Sequence, residues 1–542
     1  MTDIILDKQA ATNSDFSAAA VREAIQRLFI NSKERSARDK SDDAYLANMV
    51  DDFLFDHKIT SEIDVATLAE QFKCSRISAE PSSFSSYLHN LFEHVTAHSV
   101  RTSSPRFIGH MTTALPSFVG PMAQLITAMN QNQVKLETSK ALSFYERQAL
   151  AMIHRLIYKN SDEFYREHAQ RRESTLGIIT TGGTLANITA LWCARNSRLG
   201  PDGSFTGVDN EGLTAALEHY GYTDAVVIGS SQMHYSFEKA ASALGIGVNN
   251  LLRVPVDENH QIVLPALERT IDQCRARKRC IIAIVAVAGT TETGAVDPLP
   301  KIADLAREID THLHIDAAWG GPLLFSERHC GLLKGIERAD SAVIDGHKQM
   351  FLPMGIGMLV FRDPYFARAI EKQARYIIRA GSYDLGRRSL DGSRPGTVLF
   401  LHAALSVFGR KGYEFLIDEG IRKTQYLVAC IRARREFEIL IEPKMNILTY
   451  RFIPKPLRGR VINGDITDSD QATINVINER LQREERRAGR TFVSRTTLHA
   501  TRYGRNIPIT ALRVVIANPN TTEDDIDAVL DDQIQIGNKI SV

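Results

Sequence analysis

Residues 341–348, SAVIDGHK, form a short apolar run that ends in a polar turn and the pair His347-Lys348. A run of this length and composition is typical of a strand buried in a sheet. Ligands of sheets built from strands and helices in alternation bind beyond the carboxyl ends of the strands. Such alternation predicts an α/β fold with a mostly parallel sheet covered on both faces. Four similar runs, separated by helical patterns, precede this one: GIIT at 177–180, AVVI at 225–228, CIIAIV at 280–285 and HLHID at 312–316.

The length of 542 residues allows more than one structural unit. Apolar residues recur at helical spacing over 21–30 and 83–98, and an Arg- and Gly-rich stretch, 375–394, is predicted to be a mobile loop. Toward the C-terminus we predict strands over 445–452 and 511–516, with helices over 471–487 and 522–533. The predicted parts are a helical N-terminal arm (1–100), a large domain that contains the sheet (101–405) and a small α+β domain (406–542).

The composition argues against several classes of protein. The formal net charge is +1, so no overall field draws the chain to nucleic acid or to an anionic membrane. The six cysteines include no CxxC pair, and His94 and His98 have no third ligand nearby, so no metal site is predicted. No apolar run reaches the roughly 18 residues of a membrane span, and Asp3 stands where a signal peptide has basic residues. We therefore expect a soluble, cytoplasmic protein.

Lys348 and Asp316 each follow a predicted strand, one crossover apart. A lysine at a strand end is usually a solvated surface residue, but one that faces a cavity can act as an amine nucleophile. Asp316 lies among apolar neighbours, where an unpaired carboxylate is costly, and its alternative role is a helix N-cap. A protonated pyridine nitrogen suits that carboxylate, and the small Ala317 and Ala318 would let a flat ring approach. Together these residues predict pyridoxal 5'-phosphate (PLP), held by Lys348 as a Schiff base.

Residues 180–187, TTGGTLAN, run from a predicted strand into a helix and are the candidate phosphate site. Backbone N–H groups and the helix dipole favour an anion at such a helix start. A Gly-Gly turn is common by itself, and the segment is neither a Walker A motif nor GxGxxG. His234, at the start of the next helix, would stack on the cofactor ring or face solvent. Thr290 and Thr291 would bind the cofactor or form a turn.

With these residues in place, the chain resembles the group II PLP-dependent amino-acid decarboxylases from about residue 100 onward. The resemblance implies PLP-transferase fold type I, as in aspartate aminotransferase, with a seven-stranded sheet. It also implies a homodimer with sites at the interface. The family's usual Asn-Pro before His-Lys is here Asp345-Gly346. The motifs that carry the resemblance are, in order, residues 180–187, His234, residues 288–291 (AGTT), residues 314–318 (HIDAA) and His347-Lys348.

The resemblance also assigns roles within the site. Lys348 carries the cofactor, Asp316 pairs with its ring nitrogen, and His234 is both a stacking residue and a catalytic one. A tyrosine of the loop, Tyr376 or Tyr383, would return the proton after decarboxylation, and the loop would close on the substrate from its own or the partner subunit. The cofactor-binding residues implied are Gly183, Thr184, Asn187, His234, Thr290, Asp316, Ala318, His347 and Lys348.

Two segments bear on the substrate. Residues 105–113, PRFIGHMTT, resemble the family's substrate-contacting segment, which implies contacts from His110, where glutamate decarboxylase has a glutamine, and from Thr112. Residues 512–519, LRVVIANP, resemble the strand with a carboxylate-binding arginine, so Arg513 is the candidate anchor; its alternative role is a structural ion pair. The long arm and the diverged His110 segment favour members that convert aspartate to β-alanine for pantothenate and coenzyme A. Glutamate and cysteine sulfinate remain alternatives, as does a cofactor-binding protein without catalysis.

Overall fold

The computed structural model describes residues 25, 37–55, 58–79, 81–374, 381–499, 501–503 and 507–540. The strands of its larger sheet are β1 (Gly177–Thr180), β2 (Ala225–Ser230), β3 (Leu251–Val254), β4 (Cys280–Val287), β5 (His312–Asp316), β6 (Ser341–Asp345) and β7 (Gly357–Phe361). Their order is β1-β7-β6-β5-β4-β2-β3. Only β7 is antiparallel to its neighbours within this sheet, which confirms the predicted mostly parallel, seven-stranded fold type I architecture.

Both faces of this sheet are packed. Along β4, Ile284 and Ala286 belong to one hydrophobic cluster, while Val285 and Val287 belong to another on the opposite face. This alternation follows from the two-residue period of a strand and explains why all of β4 is apolar. The helices preceding or interleaved with the larger sheet are α1 (Ala37–Phe55), α2 (Val65–Gln71), α3 (Phe84–His94), α4 (Val119–Met129), α5 (Leu136–Ser139), α6 (Ala141–Tyr158), α7 (Asp162–His168), α8 (Gly183–Arg198), α9 (Val208–Tyr220), α10 (Ser236–Ala243), α11 (Leu264–Ala276) and α12 (Leu299–Glu308).

A second, antiparallel sheet follows. It consists of β8 (Phe437–Ile441), β9 (Ile447–Phe452), β10 (Ser494–Leu498) and β11 (Ile509–Val515), in the order β10-β11-β9-β8. Residues 105–113 are bonded to it: the Val515 N–H of β11 donates to the carbonyl of Ile108 at 2.6 Å. The later helices are α13 (Val398–Val407), α14 (Gly409–Ala433), α15 (Arg458–Asn463), α16 (Asp468–Ala488) and α17 (Glu523–Ile540).

The remaining predictions have mixed outcomes. The helix expected over 83–98 is α3 followed by a short 3₁₀ turn over Thr96–His98, whereas the one expected over 21–30 lies outside the described residues except for Ile25. The domain boundaries stay predictions. No helix in the described ranges is long and apolar enough to cross a membrane.

The second part of the loop predicted over 375–394, residues 381–394, contains one 3₁₀ turn and packs on the body of the chain; its mobility stays a prediction. Arg387 and Arg388 both pair with Glu371, and Arg394 pairs with Glu146. The three arginines and Glu146 are buried, Glu371 is half-buried, and these ion pairs join the segment to the body of the chain.

Candidate active site

The predicted site residues lie where the parallel strands end. Asp316 is the last residue of β5, and Asp345, the last of β6, is followed by the turn to Lys348. The turn from β1 into α8 contains Gly182, and His234 follows β2. Asn187 Nδ2 lies 3.1 Å from Asp316 Oδ2 and 2.9 Å from the hydroxyl of Ser236, two residues after His234. The carboxyl edge of the sheet therefore assembles the cluster that the sequence predicts.

Lys348 is held by a carboxylate. Its Nζ lies 3.0 Å from Oδ2 of Asp345, and the lysine side chain is only 18% exposed, so it is not a solvated surface lysine. Asp345 itself is 3% exposed, and its other oxygen, Oδ1, has no hydrogen-bond partner. The His347 ring is held by its backbone neighbour, with Nδ1 3.0 Å from the carbonyl oxygen of Ile356. The ring nitrogen nearest to Asp345 is His347 Nε2, at 3.7 Å.

The Asp316 carboxylate is buried and fixed at both oxygens. Oδ1 accepts from the backbone N–H of Ala318 at 3.1 Å, and Oδ2 accepts from Nδ2 of Asn187 at 3.1 Å. The local bond to Ala318 resembles that of a cap, but no α-helix begins there. Asn187 comes from α8, so the helix that offers its N-terminus to an anion also orients Asp316.

The start of α8 has the features of an anion site. Gly182 has a φ of +132°, and a Cβ on Gly183 would lie 2.8 Å from Asp345 Oδ2, so both positions need glycine. Within the described residues, no acceptor bonds to the backbone N–H groups of Gly183 and Thr184. Free N–H groups at a helix start bind phosphate well. Thr180, by contrast, uses its hydroxyl to close the turn on the carbonyl of Gly182.

His234 and Thr290 differ in their freedom to bind a ligand. Desolvation lowers the pKa of His234, and the charge of Asp316 opposes that shift. Nδ1 of His234 accepts a hydrogen bond from the Ser236 N–H at 3.3 Å. The ring is thus oriented with Nε2 available. The Thr290 hydroxyl instead bonds Thr293 at 2.8 Å and accepts from the Ala295 N–H at 3.1 Å, which is the turn-forming alternative.

Arg513, on β11, is almost completely buried. Its Nε donates to the carbonyl of Thr291 at 2.7 Å, and Nη1 donates to Gly109 and Ser494. Nη2 is buried, and none of the described residues offers it a hydrogen-bond partner. Burial lowers the pKa of Arg513 to about 10, and Glu292 opposes that shift. Since no described carboxylate forms a salt bridge with it, Arg513 is available to an acidic ligand.

The segment 105–113 brings His110 to the same region. A Cβ on Gly109 would lie 2.3 Å from the Ser494 backbone nitrogen, so only glycine allows this approach to β10. The pKa of His110 is lowered by desolvation first and then by the charges of Arg513 and Lys348. Thr112 is adjacent, with its hydroxyl 3.4 Å from His110 Nδ1.

Of the two predicted proton donors, Tyr383 lies within the described residues, and its surroundings are not those of Lys348. Tyr383 packs on Phe144, with ring centroids 5.3 Å apart. It lines a cleft with Arg147 and Gly177, at the opposite end of β1 from the anion site. Tyr376 lies outside the described residues. The role of a loop tyrosine stays a prediction.

Two carboxylates were not among the predicted site residues. Asp345 appeared only as a departure in the turn before His347, and Glu292 directly follows the Thr290-Thr291 pair. Burial raises the pKa of Glu292, Arg513 opposes the shift, and Glu292 Oε2 has no partner. The available signal for Asp345 was an acidic residue at the end of an apolar strand, whereas Glu292 lies beyond the end of β4, among threonines.

The assembled groups fit PLP. Lys348 offers an amine, Asp316 a fixed carboxylate and α8 two unused N–H donors for a phosphate. The unpartnered Nη2 of Arg513 suits the carboxylate of an acidic substrate.

Comparisons with known proteins agree with this chemistry. The model of the pyridoxal-dependent decarboxylase conserved domain matches residues 70–453. The aspartate 1-decarboxylase of Aliivibrio fischeri is 41% identical over 501 residues, which cover 92% of this chain and 91% of that protein. The rat cysteine sulfinic acid decarboxylase is 29% identical over 450 residues, covering 82% and 84% of the two chains.

Solved structures share the fold. The crystal structure of mouse CSAD superposes with a TM-score of 0.80 at 24% identity and covers 93% of this chain and 100% of that one. A second structure is the glutamate decarboxylase domain of a diaminobutyrate-pyruvate transaminase and L-2,4-diaminobutyrate decarboxylase from Vibrio parahaemolyticus. It superposes with a TM-score of 0.77 at 22% identity and covers 95% of this chain and 99% of that one.

Proposed function

This chain belongs to the pyridoxal-dependent decarboxylase family, and we propose that it removes the α-carboxyl group of L-aspartate to give β-alanine and CO2. The assignment of an acidic substrate rests on one observation: Nη2 of Arg513 is buried and has no hydrogen-bond partner among the described residues. The similarity to the Aliivibrio fischeri enzyme supports aspartate among the acidic amino acids.

The cofactor supplies, when bound, an electron sink for the electron pair that departing CO2 leaves behind. Lys348 would hold it through Nζ, Asp316 would pair with its ring nitrogen, and the N-terminus of α8 would bind its phosphate. His234, with Nε2 free, would lie against the ring. Asp345 Oδ2 keeps the Lys348 amine within this cluster.

Arg513 would bind the side-chain carboxylate of the substrate. Its Nε and Nη1 are already used by Thr291, Gly109 and Ser494, so the guanidinium is fixed before the substrate arrives. Such preorganisation lowers the cost of binding. Because burial favours the neutral form of Glu292, its O–H can donate a second hydrogen bond to the same carboxylate.

Product analysis tests the substrate. The purified PLP-loaded protein is incubated with aspartate, glutamate, cysteine sulfinate and 2,4-diaminobutyrate in parallel, and CO2 and amine are measured. We expect β-alanine from aspartate at the highest kcat/KM. Brisk turnover of another amino acid beside inert aspartate would overturn the assignment.

We also propose a cytoplasmic homodimer that supplies β-alanine for pantothenate and coenzyme A. Light scattering should give twice the 60.4 kDa of one chain. Expression should restore growth, without added β-alanine, to a bacterium that cannot make it. A monomeric mass, or no rescue by an active enzyme, would contradict the corresponding proposal.

A further inference from the structure

We propose that a one-directional chain of hydrogen bonds, from His312 through Ser341 and His314 to Asn187, positions the Asp316 carboxylate against the cofactor. None of the first three side chains needs to touch the cofactor, so they are positioning residues. The inference rests on the proposed pairing of Asp316 with the ring nitrogen.

The chain follows from the pairing of two parallel strands. His312, His314 and Asp316 alternate along β5 and therefore share one face of the sheet. Ser341, the first residue of β6, is in register with His314. Its Oγ lies 2.7 Å from His312 Nε2 and 2.8 Å from His314 Nδ1. His314 Nε2 lies 2.9 Å from Asn187 Oδ1, and Asn187 Nδ2 lies 3.1 Å from Asp316 Oδ2.

The direction of each bond follows from the carboxylate outward. An ionised carboxylate only accepts, so Asn187 must turn its NH2 group toward Asp316. Its Oδ1 then faces His314 and needs a donor, which requires a proton on His314 Nε2. The same NH2 group also lies 2.9 Å from Ser236 Oγ, which fits this orientation of the amide.

Burial of the two histidines fixes the direction of the remaining hydrogen bonds in this series. It lowers the pKa of His314 to about 3 and that of His312 to about 4, so each neutral ring carries a single N–H. With Nε2 protonated, His314 Nδ1 accepts from the Ser341 hydroxyl. The Ser341 oxygen in turn accepts from His312 Nε2–H. All the hydrogens point toward Asp316, and hydrogen bonds in such a series strengthen one another.

The functional consequence lies in the orientation of Asn187. If His314 no longer donates, the amide loses the bond that selects its orientation. A flipped amide would place an oxygen against the Asp316 carboxylate and remove one of the two donors that hold it. Asp316 would then hold the proton on the cofactor ring nitrogen less well.

The test uses the full-length enzyme loaded with PLP labelled with ¹⁵N in the ring. We expect the ring-nitrogen chemical shift to move toward that of neutral pyridine in S341A and H314F. S341A removes the hydroxyl that bonds both His312 and His314, and we also expect PLP affinity to fall about fivefold. H314Q, whose amide has both a donor and an acceptor, should restore much of the shift.

S174A is the matched control. Ser174 and His168 form a second buried Ser–His pair, with Oγ and Nδ1 2.9 Å apart, away from the strand ends of the site. S174A should leave both the nitrogen shift and the PLP affinity unchanged, since it removes a similar bond without a path to Asp316.

D316N separates the possible failures. Suppose that the ring-nitrogen chemical shift changes in D316N, while both the chemical shift and the PLP affinity stay unchanged in S341A. That result would overturn the hydrogen-bond chain but keep the role of Asp316. An unchanged shift in D316N would overturn that proposed role itself. S341A loses only one hydroxyl, so it decides the question even where H314F does not fold.

Discussion

Asp345 places one carboxylate oxygen 3.0 Å from Nζ of Lys348 and leaves the other buried without a hydrogen-bond partner. The same carboxylate lies against Gly183, where α8 offers free N–H groups to an anion. A fixed negative charge therefore stands beside both the amine and the proposed phosphate site, where it would attract the first and repel the second.

Removing this charge should strengthen cofactor binding. We expect D345N to bind PLP about tenfold more tightly, because repulsion between two anions a few ångströms apart is lost. Pyridoxal, which lacks the phosphate, should bind D345N and wild type alike. Absorbance titrations of the wild type and D345N measure the affinity of each protein for PLP and for pyridoxal. An equal gain for pyridoxal would show that Asp345 acts on the amine and not on the phosphate.

Arg513 should control the KM for aspartate. R513Q removes the guanidinium that we assign to the side-chain carboxylate, and we expect kcat/KM to fall about 100-fold with PLP affinity unchanged. R513K should not rescue it, since a lysine cannot replace the donors now bonded to Thr291 and Gly109. R495Q, on the neighbouring strand β10, is the control and should retain activity. Normal kinetics in R513Q would remove Arg513 from the substrate site.

Glu292 should give kcat/KM a dependence on pH. Burial raises its pKa, so below that pKa the neutral group can donate to the substrate carboxylate, and above it the anion repels the same group. We expect kcat/KM for aspartate to fall as pH rises through this pKa. E292Q, which keeps a donor and never ionises, should flatten that limb. The same limb in E292Q and wild type would assign it to another residue.

Stability should respond to Glu485 of α16. Its carboxyl group is fully buried, and burial raises its pKa to about 8. The folded chain holds this proton more tightly than the unfolded chain, so the contribution to stability is complete below the ordinary glutamate pKa. It is lost as pH rises toward 8. Between these two pH values, we expect the free energy of unfolding to decrease less in E485Q than in the wild type. The difference should be on the order of a few kcal/mol. Denaturant titrations at pH 5 and about pH 8.5 measure the effect, with the exposed E484Q as control. Parallel losses in both variants would contradict it.

How far the sequence predicts the fold depends on the length and continuity of its apolar runs. β4 was predicted because it is a continuous apolar run bounded by clear breaks. β3 was missed, since its four residues include an exposed Arg253 and give no continuous apolar signal. β7 was also not predicted, although it is apolar throughout. It follows the Lys348 turn, where the chain reverses direction, and it inserts antiparallel between β6 and β1.

The site divides in the same way. Lys348 and Asp316 were predictable because each follows a buried strand, and parallel strands end at one edge. The contact of Arg513 with Thr291 joins residues 222 positions apart, which no local pattern encodes. The free oxygens of Asp345 and Glu292 depend on which neighbours fail to bond them, and only the folded chain reveals that.

The glycine at position 109 has a wider consequence. By letting residues 105–113 lie against β10, it brings His110 to the four-stranded sheet that contains Arg513, while Asp316 ends a strand of the seven-stranded sheet and Lys348 follows another. The proposed substrate contacts and the proposed cofactor contacts thus come from separate layers of the protein. Replacing the 105–113 segment together with β10 and β11 offers a way to graft a new amino-acid preference onto an unchanged cofactor site.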